Sequence, residues 1–224
     1  MIWPQYSNKL DQRVCRRHTF SAELIDSLDG EIFIDLGCGQ GAVLTNVRRS
    51  RFRLGIEHTL QNAITARTNS RCSVIVADAC RLPLRSEVAN VVGLLEVFEH
   101  IDATRRTAVL NETNRILLSK GYLVLSVPYD HFLSKFCDPA WYYNHSHFSS
   151  QDMFNYFTYS GFTVIDLFKR AGLWDVATMI NLYICKWVFR KDLLFRSWFE
   201  SKRTKEFDTF TDGFQTLFVV GCKE

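Results

Sequence analysis

Between Glu31 and Val127, short runs rich in β-branched residues alternate with segments whose apolar positions recur at helical spacing. The runs Ile32–Leu36, Arg53–Glu57, Ser73–Ala77, Asn90–Leu95 and Tyr122–Val127 predict strands, and Gly41–Arg49, Leu60–Thr68 and Arg105–Ser119 predict helices. This alternation predicts a parallel sheet with helices on both faces, an α/β fold. In "LSKGYLV" a helix end feeds a strand, with Gly121 following the lysine. Beyond Val127 the pattern loosens. "VPYDHFLSKFCDPAWYYNHSHFSS" reads as a structured loop, and Ser149 or Ser150 caps a helix over Gln151–Ser160 that Gly161 ends. "FTVIDLFK" and "QTLFVVGCK" supply the last two strands, with a long helical stretch between them. Upstream, residues 1–30 predict a helical cap, clearest in "HTFSAELIDSL".

The 224 residues suffice for one large domain. An apolar share of 47% against 23% charged residues excludes wholesale disorder. Seven scattered cysteines, none spaced C-x-x-C, argue against a disulfide framework or a zinc site and for reduced thiols in the cytoplasm; no metal is expected. The N-terminus has no apolar core of signal-peptide length, so export is not expected. The longest nearly apolar tract, Leu173–Phe189, carries Asp175, Asn181 and Lys186. A spanning helix needs about 20 mostly apolar residues, so this tract is not read as one.

The chemistry starts at "IDLGCGQGA", Ile34 to Ala42, where a strand runs through glycines into a helix. Glycines let backbone approach a ligand, and the helix N-terminus favours negative charge. The same letters satisfy the dinucleotide pattern G-x-G-x-x-G/A, so an NAD-binding loop and a plain strand-to-helix turn stay in view. Glu57 lies 20 residues after Gly37 and suits ribose hydroxyls in either kind of nucleotide site. Asp35 separates the candidates, because a carboxylate would repel a pyrophosphate but attract the ammonium of a methionine moiety. Asp78, in "VADACRLPL", is placed to accept from an adenine amino group while the Ala79 N–H serves a ring nitrogen.

From Ile32 to Val127 the chain resembles the class I S-adenosylmethionine (SAM)-dependent methyltransferases of the broad small-molecule type. "IDLGCGQG", "GIEHT", "ADACRLPL", "LLEVFEHI" and "RILLSKGYLVLSVP" follow in the family's order. The resemblance implies a seven-stranded, mostly parallel, doubly wound Rossmann-like sheet whose last hairpin is antiparallel. It implies SAM as cofactor and S-adenosylhomocysteine as product. Asp35, Gly37, Cys38, Gly39 and Gly41 would surround the methionine end. Glu57, with His58 beside it, would hold the ribose, Asp78 and Ala79 would read adenine, and Glu96 would lie near the sulfonium. The family often has Asp opening the fourth strand where this chain has Asn90, a change expected to touch packing more than catalysis. A single domain is then divided into the cap (1–30), the SAM-binding core (31–127), an acceptor-side loop and helix (128–161) and an insertion (172–210).

Methyl transfer from a sulfonium is an in-line displacement that chiefly needs alignment and exclusion of water. A hydroxyl acceptor adds the need for a base, for which histidine is suited near neutral pH. His100, His145 and His147 are the candidates; the alternative for His145 and His147 is a bond to the loop backbone, and for His100 a cap on the following helix. "LLEVFEH" stands where enzymes that methylate exocyclic base nitrogens have an Asn/Asp-Pro-Pro-aromatic segment, which disfavours that reaction. No RNA-binding module or continuous basic run is visible, so nucleic acid is not the expected partner. A small-molecule or lipid- or glycan-linked acceptor, methylated at oxygen, is the expectation. A non-catalytic SAM-binding regulator or partner subunit is the alternative, and an NAD-dependent oxidoreductase the third reading.

Charge changes the picture late in the chain. Between Arg170 and Glu206 eight basic residues face four acids, while the whole chain carries a net charge of only +3. The apolar positions Leu173, Val176, Ala177, Ile180, Ile184, Trp187 and Val188 form a helical stripe, and Leu193, Leu194, Phe195, Trp198 and Phe199 follow. This aromatic, basic insertion reads first as a lid on the sheet. Peripheral contact with an anionic membrane through residues 173–205 and dimerisation are the alternatives.

Overall fold

A computed structural model describes residues 16–137, 146–185, 190, 194–209 and 212–224. Its seven strands are β1 (Ile32–Leu36), β2 (Phe52–Glu57), β3 (Ser73–Val76), β4 (Ala89–Leu95), β5 (Leu117–Pro128), β6 (Phe162–Arg170) and β7 (Thr216–Lys223). They form one sheet in the order β3-β2-β1-β4-β5-β7-β6. The first five strands are mutually parallel, and β7 runs antiparallel to both β5 and β6. The seven-stranded, mostly parallel sheet is the one that the family resemblance implies.

The helices are α1 (Arg16–Ser27), α2 (Ala42–Asn46), α3 (Leu60–Ser70), α4 (Arg106–Ile116), α5 (Phe132–Cys137), α6 (Ser150–Tyr159), α7 (Leu173–Ile184) and α8 (Arg196–Thr209). Because strand side chains alternate between faces, β1 divides its residues between two layers. Ile34 and Leu36 join Val109 and Leu110 of α4 and Met153 and Phe157 of α6 in one core. Phe33 faces the other side with Ala22 and Ile25 of α1, Val43 and Leu44 of α2 and Ala66 of α3. Asp35 shares the parity of Phe33, so the sheet itself turns this carboxyl toward the face that α1 covers. A third cluster, Phe20, Phe168, Phe207 and Phe218, fastens α1 and α8 over β6 and β7.

Several boundaries differ from the sequence expectation, for identifiable reasons. Helix α4 stops at Ile116 because Leu117 already pairs with Ala89 across a bulge, and it is fully buried there. Sheet pairing and burial outweigh the helical period that suggested Ser119. Helix α2 ends at Asn46, where Arg53 Nη1 donates to the carbonyls of Leu44 and Val47, 2.8 Å each. Ser149 is the cap of α6: its Oγ accepts from the Asp152 N–H (3.1 Å) while Asp152 Oδ2 accepts from the Ser149 N–H (2.9 Å), a capping box. Asn90 does locally what a carboxylate would, since its Oδ1 accepts the Ile32 N–H at 3.0 Å and ties β4 to the start of β1.

Candidate functional site

Strand order reverses between β1, which continues to β2 and β3, and β4, which continues to β5. Crevices form at such switch points, beyond the carboxyl ends of the strands. A cavity of about 510 Å³ opens here, walled by Asp35, Gly37, Cys38, Gly39, Glu96 and Ser126 from the sheet side. Helices α1 and α8 roof it with Arg16, Arg17, Arg203 and Phe207.

The glycine loop follows from its backbone. Gly37 has φ +72°, and a Cβ there would come within 2.5 Å of Val97 Cγ2. Any other residue would be strained and would clash. Gly39 also has a positive φ, +52°, but the position of its missing Cβ has no atom within 4 Å, so a side chain there would take cavity space. The loop is held by Glu57, whose Oε2 accepts the Gly39 N–H at 2.9 Å and whose Oε1 accepts the Thr59 N–H at 3.1 Å.

Asp35 is 3% exposed. Burial, with the like charge of Glu57 added, pushes its carboxyl up to about 8. Both causes act in the same direction, leaving a buried acid that a ligand cation would stabilise as its anion. Burial also raises the Cys38 thiol, aided by Asp35 and Glu57, so it remains protonated.

Glu96 follows β4 with φ +55°, a costly conformation for a non-glycine residue. Ser126 supports it: the Glu96 N–H donates to the Ser126 carbonyl (3.1 Å) and Oγ (3.2 Å), and Ser126 Oγ–H donates to Glu96 Oε1 at 2.9 Å. Arg17 of α1 pairs with Glu96 Oε2. Beyond this network lies a second cavity of about 240 Å³, with Pro128, His147, Thr178 and Met179 in its walls. Arg17, Glu96, Asp175 and Arg203 line both cavities and form the neck between them.

The sequence candidates thus separate into places. Asp35, Gly37, Cys38, Gly39 and Glu96 meet at the larger cavity, and His147 stands on the wall of the smaller. Gly41 is the left-handed residue before α2, and Glu57 underpins the loop. His58 is exposed just beyond β2. Asp78 and Ala79 lie just after β3, where Asp78 accepts from the Cys80 N–H (2.9 Å) and pairs with Arg105, contacts that hold its carboxyl below the usual range. His100 ends a short 3-10 turn with its side chain 64% exposed and lines neither cavity. His145 lies outside the described residues. Sequence reasoning did not single out Ser126, Thr178, Met179, the Arg203–Asp175 pair or the Arg17–Glu96 pair. Their positions depend on α1, α7 and α8 converging on the strand ends, which no local spacing encodes.

Residues 34–125 match the family described as a methyltransferase domain. A SAM-dependent methyltransferase of Thermotoga maritima superposes with a TM-score of 0.65 at 17% identity, covering 93% of this chain and 90% of that one. An uncharacterised protein of Methanocaldococcus jannaschii is 27% identical over 123 residues, 54% of this chain and 45% of that protein. An Arabidopsis thaliana tRNA (carboxymethyluridine(34)-5-O)-methyltransferase is 31% identical over 110 residues, 47% of this chain and 26% of that protein. The aligned stretches therefore span less than half the length of these two curated relatives. The methyltransferase-domain match covers less than half of the chain, the fold is that of SAM-dependent methyltransferases, and SAM is the cofactor of such enzymes. The residues present fit it: the open Gly39 position leaves room against backbone, and buried Asp35 offers its ammonium a counter-ion.

Proposed function

We propose that the protein is a cytoplasmic enzyme that moves a methyl group from SAM to a hydroxyl oxygen of a small-molecule or lipid- or glycan-linked acceptor. The observation that carries this reading is the pair of cavities joined at Arg17, Glu96, Asp175 and Arg203. The larger suits the cofactor and the smaller an acceptor. Bound SAM supplies an electrophilic methyl on a sulfonium. The chain supplies the rest. Asp35 holds the ammonium, the Gly37–Gly41 loop lies along the methionine end, Glu57 and Asp78 hold ribose and adenine, and α1 and α8 keep water out. His147, on the acceptor wall, takes the proton from the acceptor hydroxyl. Glu96, fixed by Ser126 and Arg17, aligns the acceptor at the neck.

The name of the Arabidopsis relative includes transfer to oxygen on a tRNA. The oxygen agrees with a histidine base. The shared stretch covers 26% of that protein, too little to carry its acceptor across, and no continuous basic run marks a nucleic-acid face here. A peripheral membrane contact is favoured by the exposed apolar residues of α7 and α8, among them Leu173, Ile180 and Trp198.

Calorimetry with SAM and with NAD tests the cofactor. Binding of SAM alone is expected, and binding of NAD alone would overturn the proposal. Incubating extract metabolites with methyl-labelled SAM tests the transfer itself. Labelled product is expected, with kcat reduced at least tenfold in His147→Ala at saturating SAM. Tight SAM binding without product from any extract would favour the non-catalytic regulator instead.

A further inference from the structure

The neck between the two cavities holds a cation whose orientation is fixed before any ligand arrives. Arg203 of α8 donates from Nε to Oδ1 of Asp175 on α7 (2.7 Å), and its Nη2 forms an ion pair with the same oxygen at 2.5 Å. The Asp175 side chain is 12% exposed and that of Arg203 35% exposed, so the carboxylate is the buried support and the guanidinium the accessible member. Among the described residues, no hydrogen bond is donated by Arg203 Nη1. Asp175 therefore sets the guanidinium plane and leaves an edge bearing two N–H groups for a ligand. Preorganisation of this kind lowers the ordering cost of binding.

Charge leans the same way. The cavity walls carry Arg16, Arg17, Arg196 and Arg203 against Asp35, Glu96, Asp175 and Glu200. Asp35 is buried and is the group assigned to the cofactor's ammonium. Glu96, Asp175 and Glu200 are each bonded to an arginine: Glu96 to Arg17, Asp175 to Arg203 and Glu200 to Arg196. A cationic acceptor would compete with those arginines for their carboxylates. An anionic acceptor gains the Nη1 donors of Arg203, which no described carboxylate uses.

We infer that the methyl acceptor carries an acidic group, a carboxylate or a phosphate, that docks on the Nη1 edge of Arg203 at the neck, with Arg17 of the facing helix beside it. This rests on the methyl-transfer reading and adds the acceptor's chemical class to it. Arg203 is a binding residue here: it anchors one end of the acceptor while His147 and Glu96 handle the other. Planar guanidinium donors match carboxylate and phosphate oxygens, a geometry lysine does not reproduce.

The test separates extract metabolites on an anion exchanger and incubates the retained and unretained pools with protein and methyl-labelled SAM. Labelled product from the retained pool is expected. Treating that pool with alkaline phosphatase and, separately, with a phosphodiesterase plus alkaline phosphatase then distinguishes the sources, abolishing product for a phosphate mono- or diester and sparing it for a carboxylate. Arg203→Met is expected to raise KM for the retained pool about tenfold or more, as for loss of a charged hydrogen bond, and by more than it raises the Kd for SAM. Arg203→Lys keeps a cation beside Asp175 and serves if the methionine variant does not fold; its KM is expected to rise as well. Product from the unretained pool alone, or a wild-type KM in both variants, would overturn the inference while leaving methyl transfer standing. No product from either pool would overturn methyl transfer itself.

Discussion

In the proposed binding mode, Asp35 holds a proton that the cofactor's ammonium displaces. In the ligand-free fold its carboxyl is raised to about 8, so it is mostly neutral at pH 7. A carboxyl raised above its unfolded value stabilises the fold fully below that value, and the contribution is lost as pH rises through the folded one. Ligand-free stability should therefore decline between about pH 4 and 8. The cofactor's ammonium favours the carboxylate, so SAM affinity is expected to rise from pH 6 to 8, by at most about tenfold per unit, and then flatten. Calorimetry in buffers of different ionisation enthalpy should also show proton release at pH 7. Asp35→Asn is expected to bind SAM weakly with no such slope, yet to melt no lower than wild type at pH 8 without ligand. A flat wild-type profile would mean that Asp35 does not meet the ammonium. Asp35 was legible in the sequence because strand parity and the glycine pattern are local. The height of its pKa was not, because it depends on how completely α1 and the sheet enclose it.

At the scale of elements, the segment carrying His147 is held from two sides. Arg106, 9% exposed at the start of α4, donates Nη2–H to Ser146 Oγ (2.6 Å) and Nε–H to the Ile101 carbonyl (3.1 Å). Its guanidinium lies 4.7 Å from the Phe148 ring centroid and 5.7 Å from that of Phe98. Phe148 in turn bonds the end of β5, its N–H donating to the Pro128 carbonyl at 3.0 Å. With Ser146 and Phe148 both held by Arg106, the intervening His147 is set on the cavity wall. Arg106→Met should lower stability by about 2–4 kcal/mol, from lost cation–π contacts and two part-buried oxygens left without their donor, as measured by urea unfolding. Ser146→Ala should cost under about 1.5 kcal/mol. If Arg106→Met costs no more than Ser146→Ala, the guanidinium is not the clamp. The sequence marked His147 as a candidate but gave no sign of this clamp, since Arg106 reads as one more polar position on a helix. The glycine loop and the strands of the core were readable because their patterns are set by neighbours in sequence. The neck was not, because Arg17, Glu96, Asp175 and Arg203 come from four separate elements.

Across the whole molecule, α8, which helps roof the larger cavity, and its neighbour α7 also present an apolar surface outward. Phe195 is 76% exposed, Leu173 62%, Trp198 49%, Ile184 46% and Ile180 45%. Lys202 lies over the rings of Trp174 and Trp198, 5.7 Å from each centroid, and Arg190 and Lys205 are exposed nearby in sequence. No helix among the described residues is long and apolar enough to cross a membrane, so contact would be with the surface. Basic residues contribute about 1 kcal/mol each near an anionic bilayer, and screening shortens their reach to roughly 10 Å at 0.1 M salt. Co-sedimentation with anionic vesicles is therefore expected at low salt, and should weaken in about 0.5 M salt and with neutral vesicles. Replacing Phe195 and Trp198 together by Asp should abolish it while leaving SAM affinity unchanged, since neither residue lines the two cavities. If the protein self-associates through this face in sedimentation analysis and ignores vesicles, the surface is a dimer interface. Phe207 of α8 packs with Phe20, Phe168 and Phe218, and Glu206 Oε2 accepts the Trp174 N–H at 2.9 Å, so the roof and the exposed face are packed together. Vesicles should then change the KM of an acidic, lipid-linked acceptor more than that of a water-soluble one.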